Sequence, residues 1–182
     1  MKEKPRHIFL TGQIQVGKST LINKALALFP QLTSDTLGGF RTITVKGCPP
    51  NALGSVYIIP AAADTVCDEN NMVGIRWGGG KFDAYPQAFE KAGVPLLQEV
   101  YGKKLLLMDE LGVMENNAPL FRREVLIALE GSIPVLGVIK PIKNPLLDAI
   151  RAHQRVEIIE VNLENRNSLL PLLQQILLDN GL

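Results

Sequence analysis

Gly12-Gln13-Ile14-Gln15-Val16-Gly17-Lys18-Ser19, followed by Thr20, limits the possible fold more than any other stretch of this chain. The spacing is G-x-x-x-x-G-K-S, and it stands between the apolar run "HIFLT" and the helical pattern "TLINKALALF". Main-chain N–H groups can surround a cluster of negative charge only where the chain curls with those groups inward. Gly12 and Gly17 permit the curl, because glycine accepts positive φ and carries no Cβ to block the approach. The helix that follows adds its positive N-terminal end. Lys18 brings a full charge to the β- and γ-phosphates of a nucleotide, and Ser19 offers a hydroxyl to Mg²⁺.

The rest of the chain repeats the strand-then-helix rhythm. "RHIFLTG" reads as a buried strand and Lys18–Phe29 as a helix ended by Pro30. "GFRTITVKG" and "GSVYIIPA" read as a β-hairpin across "CPPNAL". Residues 61–84 are irregular, with one short strand expected around Val73–Trp77. Pro86–Tyr101 is helical with a break near Gly93-Val94-Pro95. Then come the strand "KKLLLMDELG", a helix over Pro119–Glu130, the strand "IPVLGVIK", a helix over Asn144–His153, the strand "VEIIEVN" and a closing helix over Arg166–Asp179. Continuous apolar strands alternating with helices predict an α/β fold. Its sheet is mostly parallel and twisted, with helices on both faces and a β-hairpin and irregular insertion around 39–84. Residues 1–182 read as a single domain of P-loop NTPase architecture.

A phosphate loop needs an acid at the tip of a neighbouring strand to hold Mg²⁺. "LLLMDE" supplies Asp109 where a parallel strand emerges at the ligand-binding edge of the sheet. Glu110 follows it, placed to orient and deprotonate a water facing the γ-phosphate. "DELG" also fits the D-x-x-G pattern of GTPase switches, but the chain contains no N-K-x-D.

Net charge is +1, too weak a field to recruit nucleic acid or acidic lipid by bulk attraction. No apolar run approaches the ~20 residues of a membrane span. "MKEKPRHIFLTG" is too short in apolar residues for a signal peptide. Cys48 and Cys67 form no C-x-x-C and read as reduced thiols, so a cytoplasmic protein is expected.

With these motifs in place, the chain resembles the thermophile-type (cancer-related) nucleoside-triphosphatase family. The likeness rests on "TGQIQVGKSTLI", "GGFRT" at 38–42, "LLLMDELGVME" followed by "LF" at 120–121, "PVLGVI" at 134–139 and "ENRNSL" at 164–169. The pieces fall in the family's order and span nearly the whole chain. The resemblance implies hydrolysis of nucleoside triphosphates to diphosphate and phosphate, with Mg²⁺ and loose base preference. It carries over Gly12–Ser19 as the phosphate loop. It also implies that the 105–112 run, with Leu106, Leu107, Met108, Asp109, Glu110, Leu111 and Gly112, is a second nucleotide-contacting segment. Arg41 departs from the family, standing where an aromatic residue is more usual.

Weaker candidates remain. Arg41, Arg122 and Arg123 are candidates for a cation at the transition state. Thr42 and Asp35 are candidates for contact with water or magnesium, against a plain reading as turn and strand polar groups. "WGGGK" at 77–81 reads as a flexible loop able to act as a lid. Arg166 is a candidate to stack on the base, against surface exposure, with Asn162 as a helix cap. His7 and His153 receive no chemistry. The working expectation is slow NTP hydrolysis, with Ser19 and Asp109 on the metal, Lys18 neutralising phosphate charge and Glu110 activating water. Two rivals stand beside it: a small-molecule kinase on the same scaffold, and a non-catalytic nucleotide-gated binding module.

Overall fold

Buried strands with side chains alternating between two apolar layers build the sheet. The computed structural model describes residues 7–62 and 65–182. Part of the signal-peptide reading, and Ala63 and Asp64 of the irregular segment, fall outside the described residues. The strands are β1 (His7–Thr11), β2 (Leu37–Val45), β3 (Gly54–Pro60), β4 (Met72–Arg76), β5 (Phe82–Ala84), β6 (Leu105–Leu111), β7 (Val135–Ile139) and β8 (Val156–Glu160). Among the described residues they form one sheet of order β5-β4-β3-β2-β6-β7-β1-β8. From β2 through β8 neighbours are parallel, whereas β3, β4 and β5 extend the β2 side as an antiparallel wing. The hairpin read from the sequence is the β2–β3 pair. The strand β5, absent from the sequence reading, is three residues long and half exposed, too short to show a period-two pattern.

The helices are α1 (Lys18–Ala27), α2 (Pro86–Ala88), α3 (Val94–Gln98), α4 (Pro119–Glu130), α5 (Pro145–Ala152) and α6 (Leu169–Asp179). They cover both faces. Phe9, Leu106 and Met108 point to a core shared with Phe121, Val125 and Leu147, from α4 and α5. Ile8, Leu10, Leu105 and Leu107 point to the other core, shared with Ile22, Leu26 and Leu173, from α1 and α6. Prolines open α4 and α5, where a missing N–H costs nothing, and the Asn144 side chain caps α5 by accepting from Leu147 N. α1 ends at Ala27 rather than Phe29. Leu28 and Phe29 already make tightened i−3 bonds, and Pro30 disfavours helical geometry just before it. The expected break near Gly93 is a π-helical turn over Phe89–Gly93. Pro95 brings no N–H to the ladder, and a Cβ at Gly93 would come within 2.6 Å of Phe121 Cε2.

Strand order decides what meets at the C-terminal edge of the parallel strands. β7 inserts between β1 and β6, so the residue after β7 lies between the phosphate loop and the acid pair. β2 pairs with β6 in a register that sets Arg41 opposite Asp109. That register needs Gly39. Its φ is +85°, and a Cβ there would stand 2.0 Å from Leu107 O. Gly39→Ala is therefore expected to lower the free energy of unfolding by about 2–4 kcal/mol, from backbone strain plus overpacking. A urea midpoint equal to that of the unaltered protein would contradict the placement.

Candidate functional site

The loop from Gly12 to Gly17 turns the chain from β1 into α1. Gly12 has φ +129°, and a Cβ there would lie 2.2 Å from Val161 O. The reason is local: Val161 N donates to Thr11 O at 2.8 Å, pinning the loop's start against the segment that leaves β8. Gln15 and Gly17 also have positive φ, 66° and 103°. Gly17 opens α1 with no side-chain cap, so the first helical amides keep their outward face for a ligand. Val16 is buried and anchors the loop in the core, while Ile14 is 79% exposed at its tip. Lys18 folds back over the loop, its Nζ donating to Gly12 O at 2.7 Å and Gln13 O at 2.6 Å. Burial lowers the pKa of Lys18; the Glu110 charge opposes that shift and the Lys140 charge adds to it.

Gly12, Ile14, Gln15, Gly17, Lys18, Ser19 and Thr20 line a cleft of about 350 Å³. Across it stands Glu110, flanked by Arg76 and Lys140. Gln13 and Val16, the other two residues of the expected loop set, do not line it. Within the second segment, only Glu110 does. Leu106, Leu107, Met108 and Leu111 are core side chains, at most 1% exposed, so the long apolar run serves the sheet. Gly112 is buried too. Its N donates to Glu115 Oε1, its O accepts from Asn144 Nδ2 at 2.5 Å, and a Cβ there would press on Lys140 Cδ at 2.8 Å.

The pairing of β6 with β7 shifts register between Met108 and Leu111, and Glu110 has φ +74°. Such an irregularity re-aims side chains, and a non-glycine residue held at positive φ stores strain of about 1–3 kcal/mol. Here it turns Glu110 into the cleft and leaves Asp109 behind it, 6% exposed. Glu110 Oε1 accepts from Arg76 Nη2 at 2.6 Å and lies 3.0 Å from Lys140 Nζ. Burial alone raises the Glu110 pKa; Lys140 first and Arg76 second outweigh it, so the carboxylate titrates below its usual range.

Asp109 behaves oppositely. Burial pushes its pKa from 3.8 to about 6; the Arg41 charge opposes this and the Glu110 charge adds to it. Among the described residues, no side-chain donor bonds the Asp109 carboxylate, although Thr42 Oγ1 donates to its backbone O at 3.1 Å. The native state thus binds this proton more tightly than the unfolded chain. Stability falls as pH rises from about 4 to about 6, and above that range the ionised carboxylate costs up to about 3 kcal/mol. Asp109→Asn is expected to raise the urea midpoint at pH 8 in a chelating buffer and to leave it unchanged at pH 4. Equal shifts at both pH values would contradict this burial argument.

The remaining candidates are placed as follows. Arg41 donates through Nε to Ala61 O at 2.8 Å and through Nη1 to Asn23 Oδ1 at 2.7 Å, with its charge beside Asp109. Arg122 Nη1 donates to Asn116 O, and Arg123 is an exposed partner of Glu124; neither lines the cleft. Asp35 borders a separate hollow with Gly38 and Gly39. The glycines of 77–81 form a short 3₁₀ turn in open space, directly after Arg76. Asn162 accepts from Glu164 N and Asn165 N in the turn before α6, and exposed Arg166 lies over the phosphate loop, its Cδ 3.7 Å from where a Gly17 Cβ would be. The His7 ring bridges Val135 N and Leu129 O inside the core. Arg76 and Lys140 escaped the sequence reading. Each ends an apolar strand pattern, "MVGIR" and "VLGVIK", just as Asp109 and Glu110 end "LLLM", and that shared position was the available signal.

Comparison with known proteins identifies the family and the fold. A family model described as NTPase matches residues 7–176. The nucleoside-triphosphatase THEP1 of Thermotoga maritima is 29% identical over 164 residues, covering 90% of each chain. The human cancer-related nucleoside-triphosphatase is 29% identical over 189 aligned positions, covering 91% of this chain and 93% of its own. Its solution structure superposes with a TM-score of 0.63 over 91% of this chain and 94% of that one. The crystal structure of THEP1 from Aquifex aeolicus, at 24% identity, shares the fold with a TM-score of 0.69 over 94% of this chain and 98% of that one.

Proposed function

The chain belongs to the NTPase family, and on that premise we propose that its cleft hydrolyses nucleoside triphosphates to diphosphate and phosphate, with Mg²⁺ and little preference among bases. One observation carries the reading: a carboxylate, Glu110, is turned out of its strand to face Lys18 and Ser19 across one cleft. A water between them would attack the γ-phosphorus. The bond to the β,γ-bridging oxygen breaks, the diphosphate leaves with that oxygen, and the water proton passes to the Glu110 carboxylate and on to solvent. The loop amides and Lys18 hold the β- and γ-phosphates.

Ser19 and Asp109 are the residues proposed to hold the metal. A hydroxyl and a carboxylate are the hard oxygen donors Mg²⁺ accepts, directly or through water, and Asp109 is a buried acid lacking a hydrogen-bonding side-chain partner among the described residues. A Mg²⁺ ion held there would supply positive charge against the phosphates. Loose base preference is supported by Arg166, whose planar guanidinium over the loop can stack on any base. Slow turnover is supported by the resting cleft, where Arg76 is tied to Glu110 and the sequence's candidates Arg41, Arg122 and Arg123 are not among the lining residues. Unpaired Cys48 and Cys67 support a reducing, cytoplasmic setting. No helix among the described residues is long and apolar enough to cross a membrane.

The test is the fate of the third phosphate. With Mg²⁺, ATP and no acceptor, phosphate and ADP are expected in equal amounts. Release that depends on an added nucleoside would overturn hydrolysis in favour of phosphoryl transfer, and tight nucleotide binding with no turnover would point to a binding module.

A further inference from the structure

Two cations share one oxygen of Glu110. Arg76 comes from the end of β4 in the antiparallel wing, and Lys140 from the tip of β7, between the phosphate-loop strand and the acid strand. Both line the cleft with Gly17, Lys18 and Ser19. Their side chains are 33% and 27% exposed, reaching the solvent of the cleft. Ion pairs this open contribute little to folding. Yet the backbone around Lys140 is firmly mounted: its N donates to Leu111 O at 2.9 Å, its O accepts from Arg151 Nη2 at 2.9 Å, and its stem lies against Gly112. Only the ammonium end is left to move, between a carboxylate on one side and the phosphate cleft on the other.

We infer that Lys140 and Arg76 form the binding site for the terminal phosphate, resting on Glu110 while the cleft holds no nucleotide and transferring to the third phosphate when a triphosphate enters. The inference rests on the hydrolytic reading of this cleft. A terminal phosphate offers three charged oxygens against the single oxygen the two cations share on Glu110, and the guanidinium fork matches two of them at once. A diphosphate lacks that group and leaves the cations where they are. The exchange also vacates Glu110 Oε1, which is then able to accept a hydrogen bond from water. The two cations therefore discriminate triphosphate from diphosphate, and only the triphosphate frees Oε1 of the carboxylate.

Equilibrium binding of a non-hydrolysable β,γ-imido triphosphate and of the diphosphate, each with Mg²⁺, tests the inference. Lys140→Met and Arg76→Gln are each expected to weaken triphosphate binding about tenfold or more, the loss of one charge-assisted contact, with diphosphate binding changed by less than about twofold. Lys140→Arg is expected to restore part of the difference, and thermal unfolding of each variant checks the fold. If both nucleotides weaken equally, or neither does, the cations only neutralise Glu110 and the inference is wrong. If the unaltered protein releases no phosphate but the triphosphate-to-diphosphate ratio still collapses in Lys140→Met, hydrolysis fails and the terminal-phosphate site stands. If it hydrolyses and the ratio does not move, the inference fails alone.

Discussion

Glu110→Gln is expected to reduce phosphate release about 10²–10⁴-fold, the usual worth of a positioned general base, while nucleotide binding persists. The amide keeps the length and shape of the carboxylate but cannot take a proton from water. Its backbone keeps the positive φ that turns the side chain into the cleft. The fold should tolerate the change, because the ion pairs it removes are partly open to solvent, a class worth about 1 kcal/mol or less. Single-turnover phosphate release, with binding measured in parallel, separates the two effects. A variant that hydrolyses at the normal rate would remove Glu110 from the chemistry.

Lys18→Ala should be as damaging and for a different reason. It deletes the charge nearest the phosphates, so affinity should fall about tenfold or more and turnover about 10²–10³-fold. Without nucleotide the ammonium bonds two carbonyls of its own loop, Gly12 O and Gln13 O. The substitution therefore also frees the loop, and a rise in backbone exchange over 12–17 should accompany it. Normal turnover in this variant would mean that phosphate binds elsewhere.

The parts of the site that were legible in the sequence are those carried by contiguous residues. A loop needing two glycines, a lysine and a hydroxyl writes all four within eight positions. An apolar run cut off by Asp109 and Glu110 marks a strand tip. The fold followed the same logic, since buried parallel strands read as unbroken apolar runs and the stretch "TITVK" in the first arm of the β2–β3 hairpin alternates in period two. Arg76 and Lys140 were illegible because their meeting depends on strand order. Nothing in "VLGVIK" says that β7 lies between β1 and β6, and nothing in "MVGIR" says that the wing folds its end towards the loop. The division of labour between Asp109 and Glu110 was hidden for a related reason. It comes from the register shift beside β7, which turns one carboxylate outward and buries the other. The core placement of Leu106, Leu107 and Met108 likewise follows from helices on both faces, where every residue of a central strand finds a buried neighbour.

A crystal structure of the protein with Mg²⁺ and a non-hydrolysable triphosphate tests the central claim most directly. The account predicts phosphates wrapped by the amides of Gly12–Ser19, a metal bridged between Ser19 and Asp109 directly or through one water, and a Glu110 carboxylate facing the third phosphate. A nucleotide seated away from the loop, or a metal with no link to Asp109, would contradict it.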